Sequence, residues 1–236
     1  MIHTITLAMH PVSFPLAGSI GTVPAFILWV LAAYLLGAIP FGLLAGFIKG
    51  VDIRTRGSGN IGATNTIRIL GKPIGLTVFL LDFGKGLGPT LLALFAGRPL
   101  VPGTVDPQAL AVCCGAAAVV GHCYPVFLGF KGGKGVAAMA GVALALCWKA
   151  ALVAFIVFFV VRKLTGFVSL SSMALAFAFP LTVIVIYRAR AFDEYLWITG
   201  VGFLSALLIV MRHRSNIARI LRGEESKVGD PDPEKL

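Results

Sequence analysis

The chain has 236 residues, 58% of them hydrophobic and 13% charged, with a mean hydropathy of +0.93 and a formal net charge of +10. A soluble domain carries about 25% charged residues, so this composition excludes an ordinary soluble globular protein and points to one that lives in lipid. The cations lie in short loops between apolar runs and no base-reading motif is present, so the charge reads as membrane orientation and anionic ligands rather than nucleic acid.

Residues 1–24 lack the basic start of a signal peptide and read as an N-terminal extension. Six apolar runs follow: Ala25–Ile48, Ile74–Ala96, Ala109–Phe130, Val136–Val161, Val168–Tyr187 and Tyr195–Met211. Each is a helix candidate, because only helices and closed barrels satisfy their backbone in lipid, and barrel-type alternation is missing. The fourth run has two readings: one span with Trp148 and Lys149 in its middle, or two short spans turning at "CWKA". With two spans, the side bearing residues 54–68 collects 15 Lys and Arg, against four on the other side: Arg98, Lys149, Arg188 and Arg190. With one span the split is nine and nine. The positive-inside rule therefore favours seven spans, with the N-terminus outside and the C-terminus cytoplasmic. Length works against it, since halves of about 12 apolar residues reach only about 18 Å of a core about 30 Å thick. The expectation is an all-α integral membrane protein of seven transmembrane helices. Residues 25–222 form its single domain, and a mobile charged tail begins at Gly223. Cys113, Cys114, Cys123 and Cys147 lie in apolar context without a CxxC pair and read as small buried hydrophobes.

Four polar segments interrupt this pattern. "RTRGSGNIGATNTIR" (54–68) combines glycines 57, 59 and 62, which allow sharp turns and close approach, with Ser58, Asn60, Thr64, Asn65 and the forked charge of Arg68. Clustered backbone N–H groups in such loops form anion-binding nests, whereas a plain glycine-rich turn is the simpler reading. "FLLDFGKGLG" places Asp82 and Lys85 within the second run, where charges at membrane depth pair or face a bundle interior. Three residues apart, they read as a structural pair. "GHCYPVFLGFKGGKGVAAMAG" sets Lys131 and Lys134 around the Gly132–Gly133 turn ahead of a helix, a general phosphate-site arrangement, although snorkelling lysines at a membrane edge look the same. His122 in this stretch reads as a buried histidine satisfied by a neighbour. In "MRHRSNIARILRG", His213 and Asn216 share one helical face, with Arg212, Arg214 and Arg219 around them and Arg214 on a different face. A basic helix lying on anionic lipid accounts for the arginines but not for Asn216. There is no histidine followed five residues later by aspartate, no serine nucleophile elbow and no metal-ligand cluster, so any reaction here must need little general-base help.

"GSGNIGATNTIRILGK", "LLDFGKG", "GHCYPVFLGFKGGKGVA", "VSLSSMA" and "RHRSNIARIL", in this order, resemble the bacterial acyl-phosphate:glycerol-3-phosphate acyltransferases, over about residues 28 to 222. The resemblance implies a cytoplasmic-membrane enzyme that moves a fatty acyl group from acyl phosphate to the 1-hydroxyl of sn-glycerol 3-phosphate, giving lysophosphatidic acid and phosphate without a cofactor. It places phosphate and glycerol-phosphate contacts on Ser58, Asn60, Arg68, Lys134, Ser172, His213 and Asn216, with Lys131, Gly132 and Gly133 in the same loop as Lys134. Ser169 and Ser171 are the neighbours of Ser172 in "VSLSSM". The implied partners are the two substrates, the bilayer and the soluble enzyme that makes acyl phosphate. The alternative from another class, a small-anion transporter, requires a polar path to the opposite side, where only isolated charges stand past Lys85.

Overall fold

The computed structural model describes residues 22–100 and 106–227. The described residues are helical with connecting loops. The first apolar run forms two helices, α1 (Thr22–Ala38) and α2 (Phe41–Ile48), because Pro40 has no N–H to continue the ladder. A short amphipathic helix, α3 (Ala63–Leu70), follows the first glycine-rich loop and ends at Gly71 with a positive φ of 90°. Then come α4 (Lys72–Leu100), α5 (Pro107–Cys123), α6 (Val136–Leu146), α7 (Trp148–Thr165), α8 (Val168–Tyr187), α9 (Leu196–Arg212) and α10 (Arg214–Leu221).

The fourth apolar run is two helices, and they break at Cys147, one residue before Trp148. The halves are unequal: α6 has 11 residues and α7 has 18. At 1.5 Å per residue these reach about 16 and about 27 Å. The short one lies inside the bundle, with Ala138 to Ala143 all buried, so its length need not match the bilayer. Among the described residues, four segments are long and apolar enough to cross a membrane: Val23–Ile48, Lys72–Ala96, Pro107–Leu128 and Val168–Phe192. A fifth exists if α9 and α10, bent by 57° at His213, act together.

Glycines bring these helices close. A Cβ at Gly37 or Gly121 would collide with backbone of the facing helix in the α1–α5 pair, and one at Gly86 or Gly141 would do so in the α4–α6 pair. Small residues at such crossings are how helices pack in lipid, where no hydrophobic force drives them together. The largest apolar core joins Val119 and Cys123 of α5, Met139 and Val142 of α6, Ala150 and Ala154 of α7, Phe179 and Val183 of α8, and Ile198 and Ile209 of α9. All four cysteines are free thiols; Cys113 is half-buried and the others are buried. Two sequence boundaries move. Helix α1 starts at Thr22, inside the expected extension, whose remainder lies outside the described residues. Residues 223–227 of the expected tail are described, and there Glu225 accepts a part-buried hydrogen bond from Ser169 Oγ. Residues 228–236 lie outside the described part.

Candidate active site

The first glycine-rich loop is built around one buried side chain. Asn65 on α3 donates from Nδ2 to the carbonyls of Ile53 (3.0 Å) and Arg56 (3.2 Å) and accepts at Oδ1 from the Ser58 backbone N–H (2.9 Å). It therefore faces inward as a scaffold, not outward as a ligand group. Gly57 and Gly59 adopt φ of 57° and 67°, a conformation that costs other residues about 1 kcal/mol or more. Asn60 accepts from the Gly62 N–H at 2.9 Å, closing the turn that starts α3. Ser58 is left exposed at the tip, while Arg68 is half-buried on α3 below it.

The second loop is clamped from both sides. The Gly132 and Gly133 N–H groups donate to the carbonyls of Cys123 (3.2 Å) and His122 (3.0 Å) at the end of α5. Their own carbonyls accept from Arg212, Nη2 to Gly132 at 2.6 Å and Nε to Gly133 at 3.0 Å. Arg212 also lies over the Tyr124 ring, 5.1 Å from its centroid. These two amides are thus committed to the fold, and the group this loop offers outward is the Lys134 side chain. Lys131 is exposed on the surface of the turn.

Helices α9 and α10 deliver the rest. The bend at His213 buries both His213 and Asn216. Lys134 Nζ donates to Asn216 Oδ1 at 2.6 Å across 82 residues of chain. Asn216 Nδ2 donates in turn to Glu225 Oε1 at 2.6 Å, and Glu225 also accepts from Ser169 Oγ (2.7 Å) and Arg219 Nε (2.7 Å). Burial works against the Glu225 carboxylate, but hydrogen bonds from Asn216, Ser169 and Arg219 outweigh it and hold its pKa below the usual value. Of the three serines at the start of α8, Ser169 reaches this network. The Ser172 hydroxyl, expected at the site, donates to its own helix at the Val168 carbonyl (2.8 Å), and that of Ser171 to Phe167 (2.7 Å).

The two loops and α10 enclose a cleft of about 450 Å³ lined by Ser58, Asn60, Tyr124, Lys134, Arg212 and Arg219, among others. Arg214, expected on a peripheral face, lines it too. Its lining among the described residues contains four cations and no carboxylate. Burial, with Arg219, Arg212 and Arg68 nearby, pulls the Lys134 ammonium down to about 8, against the attraction of Glu225. Burial and Lys134 push His213 down to about 4, although its bond to the Ile209 carbonyl favours the charged form. His213 is therefore neutral at pH 7. Its Nδ1 lies 2.7 Å from the Ile209 carbonyl, so Nδ1 carries the proton and Nε2 is left as an acceptor. Such a site can hold phosphate oxygens and accept one hydrogen bond.

A small, wholly cationic cleft at one end of an apolar helix bundle can be compared with known proteins. Residues 27–223 match the family described as Glycerol-3-phosphate acyltransferase. The chain belongs to the glycerol-3-phosphate acyltransferase family. A glycerol-3-phosphate acyltransferase of Anaeromyxobacter dehalogenans is 44% identical over 207 residues, covering 84% of this chain and 95% of the relative. One from Prochlorococcus marinus is 40% identical over 203 residues, covering 86% and 97%. The fold is similar to the crystal structure of PlsY, an integral membrane glycerol 3-phosphate acyltransferase, in its glycerol 3-phosphate form (TM-score 0.77, 40% identity, 87% of this chain and 96% of that one). Its lysophosphatidic acid form gives 0.75 at 39% identity over the same shares of the two chains.

Within this acyltransferase, Ser58, Asn60 and Lys134 line one cleft, Asn216 is bonded to Lys134, the charge of Arg68 acts on Lys134, and the charge of Lys134 disfavours protonation of His213. Gly132 and Gly133 support Lys134 from behind. Lys131 is not among the lining residues, and Ser172 makes no hydrogen bond to the cluster. Sequence reasoning missed Arg212, Ser169 and Glu225 as site members. Arg212 was visible only as one of several basic residues, and Glu225 sat in a tail whose composition suggested disorder.

Proposed function

We propose that this chain transfers a fatty acyl group from acyl phosphate to the 1-hydroxyl of sn-glycerol 3-phosphate, giving lysophosphatidic acid and inorganic phosphate. The observation that carries the reading is a cleft lined by Lys134, Arg212, Arg214 and Arg219 with no carboxylate in its lining among the described residues. Acyl phosphate is a mixed anhydride whose leaving group is phosphate, so both substrates bring an anion that cations can hold. Lys134, Arg68 and the cations of α10 hold the phosphates and set the 1-hydroxyl near the acyl carbon, which is catalysis by positioning. The hydroxyl oxygen forms the new ester bond, the bond from the acyl carbon to the phosphate oxygen breaks, and the departing phosphate takes the hydroxyl proton. Before reaction, neutral His213 accepts a hydrogen bond from the hydroxyl and orients it, and that hydrogen bond is released as the proton passes to the phosphate. Asn216, or a backbone amide, stabilises the oxyanion.

The reading includes seven spans, formed by α1–α2, α4, α5, α6, α7, α8 and α9. The cleft faces the cytoplasm, the acyl chain enters laterally from lipid, and a soluble acyl-phosphate-producing enzyme is the supplier. The 15-to-4 charge split and the break at Cys147 support it. An anion transporter is disfavoured because the space behind Gly135 closes on Val119 and Ile209, within the apolar core. The test is a membrane assay of glycerol 3-phosphate acylation comparing palmitoyl phosphate with palmitoyl-CoA. Turnover with palmitoyl phosphate alone is expected, and equal turnover with both would remove the donor assignment. Impermeant thiol labels at 148–149 and 188–193, in a background without the four native cysteines, should react from outside the cell; protection of both would overturn the topology.

A further inference from the structure

Three ionisable side chains are buried together outside the cleft. Asp82 and Lys85 on α4 are 2% and 7% exposed, and His122 on α5 is 5% exposed. Lys85 Nζ lies 2.9 Å from Asp82 Oδ1 and donates to the Ile39 carbonyl, also at 2.9 Å. Ile39 stands at the break before Pro40, where a helix end leaves carbonyls without partners. His122 Nδ1 lies 3.6 Å from Asp82 Oδ1, near enough for charge to act but too long for a hydrogen bond, and it has no other polar partner. Burying three such groups costs several kcal/mol of desolvation before any gain. The pairing of Asp82 with Lys85 explains those two residues. It does not explain His122, which a small apolar side chain could replace if packing were its only role.

The other edge of the imidazole accounts for it. Nε2 lies directly under Gly133, so that a Cβ added there would run into the ring at Nε2, Cδ2 and Cε1. A Cβ added at Gly132 would run into the His122 and Cys123 carbonyls and the Pro125 ring. The Gly133 N–H is bonded to the His122 carbonyl, and Arg212 holds the Gly132 and Gly133 carbonyls from the opposite side. The loop that carries Lys134 therefore rests on the His122 ring, and the ring stands beside the Asp82–Lys85 pair.

We propose that Asp82, Lys85 and His122 form a buried pedestal that sets the position of the Gly132–Gly133–Lys134 loop, and so the placement of Lys134 against substrate phosphate. They are positioning residues. None of them touches the substrate, and their effect passes through the His122 ring to the Gly133 backbone. The anchor at Ile39 ties the same pedestal to the α1–α2 break, so three separate helical segments fix one loop.

This rests on the acyltransferase reading above, and turnover of palmitoyl phosphate with glycerol 3-phosphate by the unmodified protein checks that reading separately. The variants are Asp82→Asn, His122→Gln and His122→Asn, purified in detergent and compared at equal folded protein. Gln puts an amide where Nε2 was and still supports Gly133, whereas Asn is too short to reach it. His122→Asn is expected to raise KM for glycerol 3-phosphate about 10-fold or more, and His122→Gln to recover most of that, since misplacement by about 1 Å can cost about 100-fold in rate. Asp82→Asn should raise KM in the same direction. A histidine that serves only stability would lower the melting temperature and leave KM unchanged in the folded fraction, and that result would overturn the proposal. Should Asp82→Asn or His122→Asn leave too little folded protein, Gly133→Ala alone and combined with His122→Ser decides. The added methyl should raise KM strongly with the ring present and several-fold less without it. Independent, multiplicative effects would overturn the pedestal.

Discussion

The two glycine-rich loops look alike as sequence and are held in opposite ways. The loop over 57–62 hangs from one buried amide, Asn65, and leaves Ser58 exposed. The loop over 129–135 is bonded through its amides to α5 and through its carbonyls to Arg212, and it rests on His122. The first therefore has one buried side-chain anchor and an accessible rim, and the second is fixed on three sides with Lys134 turned into the cleft. A phosphate site benefits from this division, because a fixed charge lowers the reorganisation needed at reaction while an open rim admits substrate.

The contrast breaks most severely at Lys134. Lys134→Ala should lower kcat/KM by about 1000-fold with acyl phosphate and glycerol 3-phosphate, since it removes the charge the second loop exists to present. A loss within about tenfold, measured at matched folded protein, would mean that the arginines alone hold phosphate. Next come Asn216→Ala and His213→Ala, each expected to cost about 100-fold in kcat. Asn216→Ala also strips a partner from both Lys134 and Glu225, so its melting temperature should fall further than that of His213→Ala.

The first loop should respond more mildly. Asn65→Ala takes this partner from the Ile53 carbonyl and the Ser58 N–H and one of two donors from the Arg56 carbonyl, at about 1–3 kcal/mol for a buried group so exposed. A lower melting temperature and a KM for glycerol 3-phosphate raised about 10-fold are expected; an unchanged KM would show that the Ser58 rim does not touch substrate. Charge gives a finer test. With Lys134 pulled down to about 8, its cationic form is complete only below that pH, so kcat/KM should fall as pH rises through about 8. Lys134→Arg, which stays charged, should move that falling limb upward even if it lowers the rate. The smallest effects belong to Lys131→Ala and Ser172→Ala. Lys131 is exposed and Ser172 is bonded within its own helix, so both should stay within about threefold of the unmodified rate, and Ser169→Ala should cost more than either.

The run Val168–Tyr187 coincides with α8, and the other apolar runs match helices to within a few residues at most ends. Span boundaries were legible because lipid burial demands a continuous apolar stretch, a local property of sequence. The break near Trp148 was legible from charge bookkeeping, but its placement at Cys147 and the unequal halves were not. Those depend on α6 lying among its neighbours, which excuses it from the length rule that lipid imposes on an exposed helix.

The sequence by itself determined the all-helical membrane character and both glycine-rich loops, and it singled out Lys134, His213 and Asn216 as candidates. Residue type and spacing carry those, since glycine turns, a lone lysine after them and a shared helical face are local features. The tertiary structure alone decided which groups meet across long stretches of chain: Arg212 with the Gly132 and Gly133 carbonyls, Lys134 with Asn216, Glu225 with Ser169, and His122 with the underside of Gly133. Composition made residues 223–227 look like a loose tail. Three hydrogen bonds to Glu225 hold them against the site, because a buried asparagine, a serine and an arginine converge there on one carboxylate. Convergence of that kind is fixed by helix packing, which no single segment of sequence specifies.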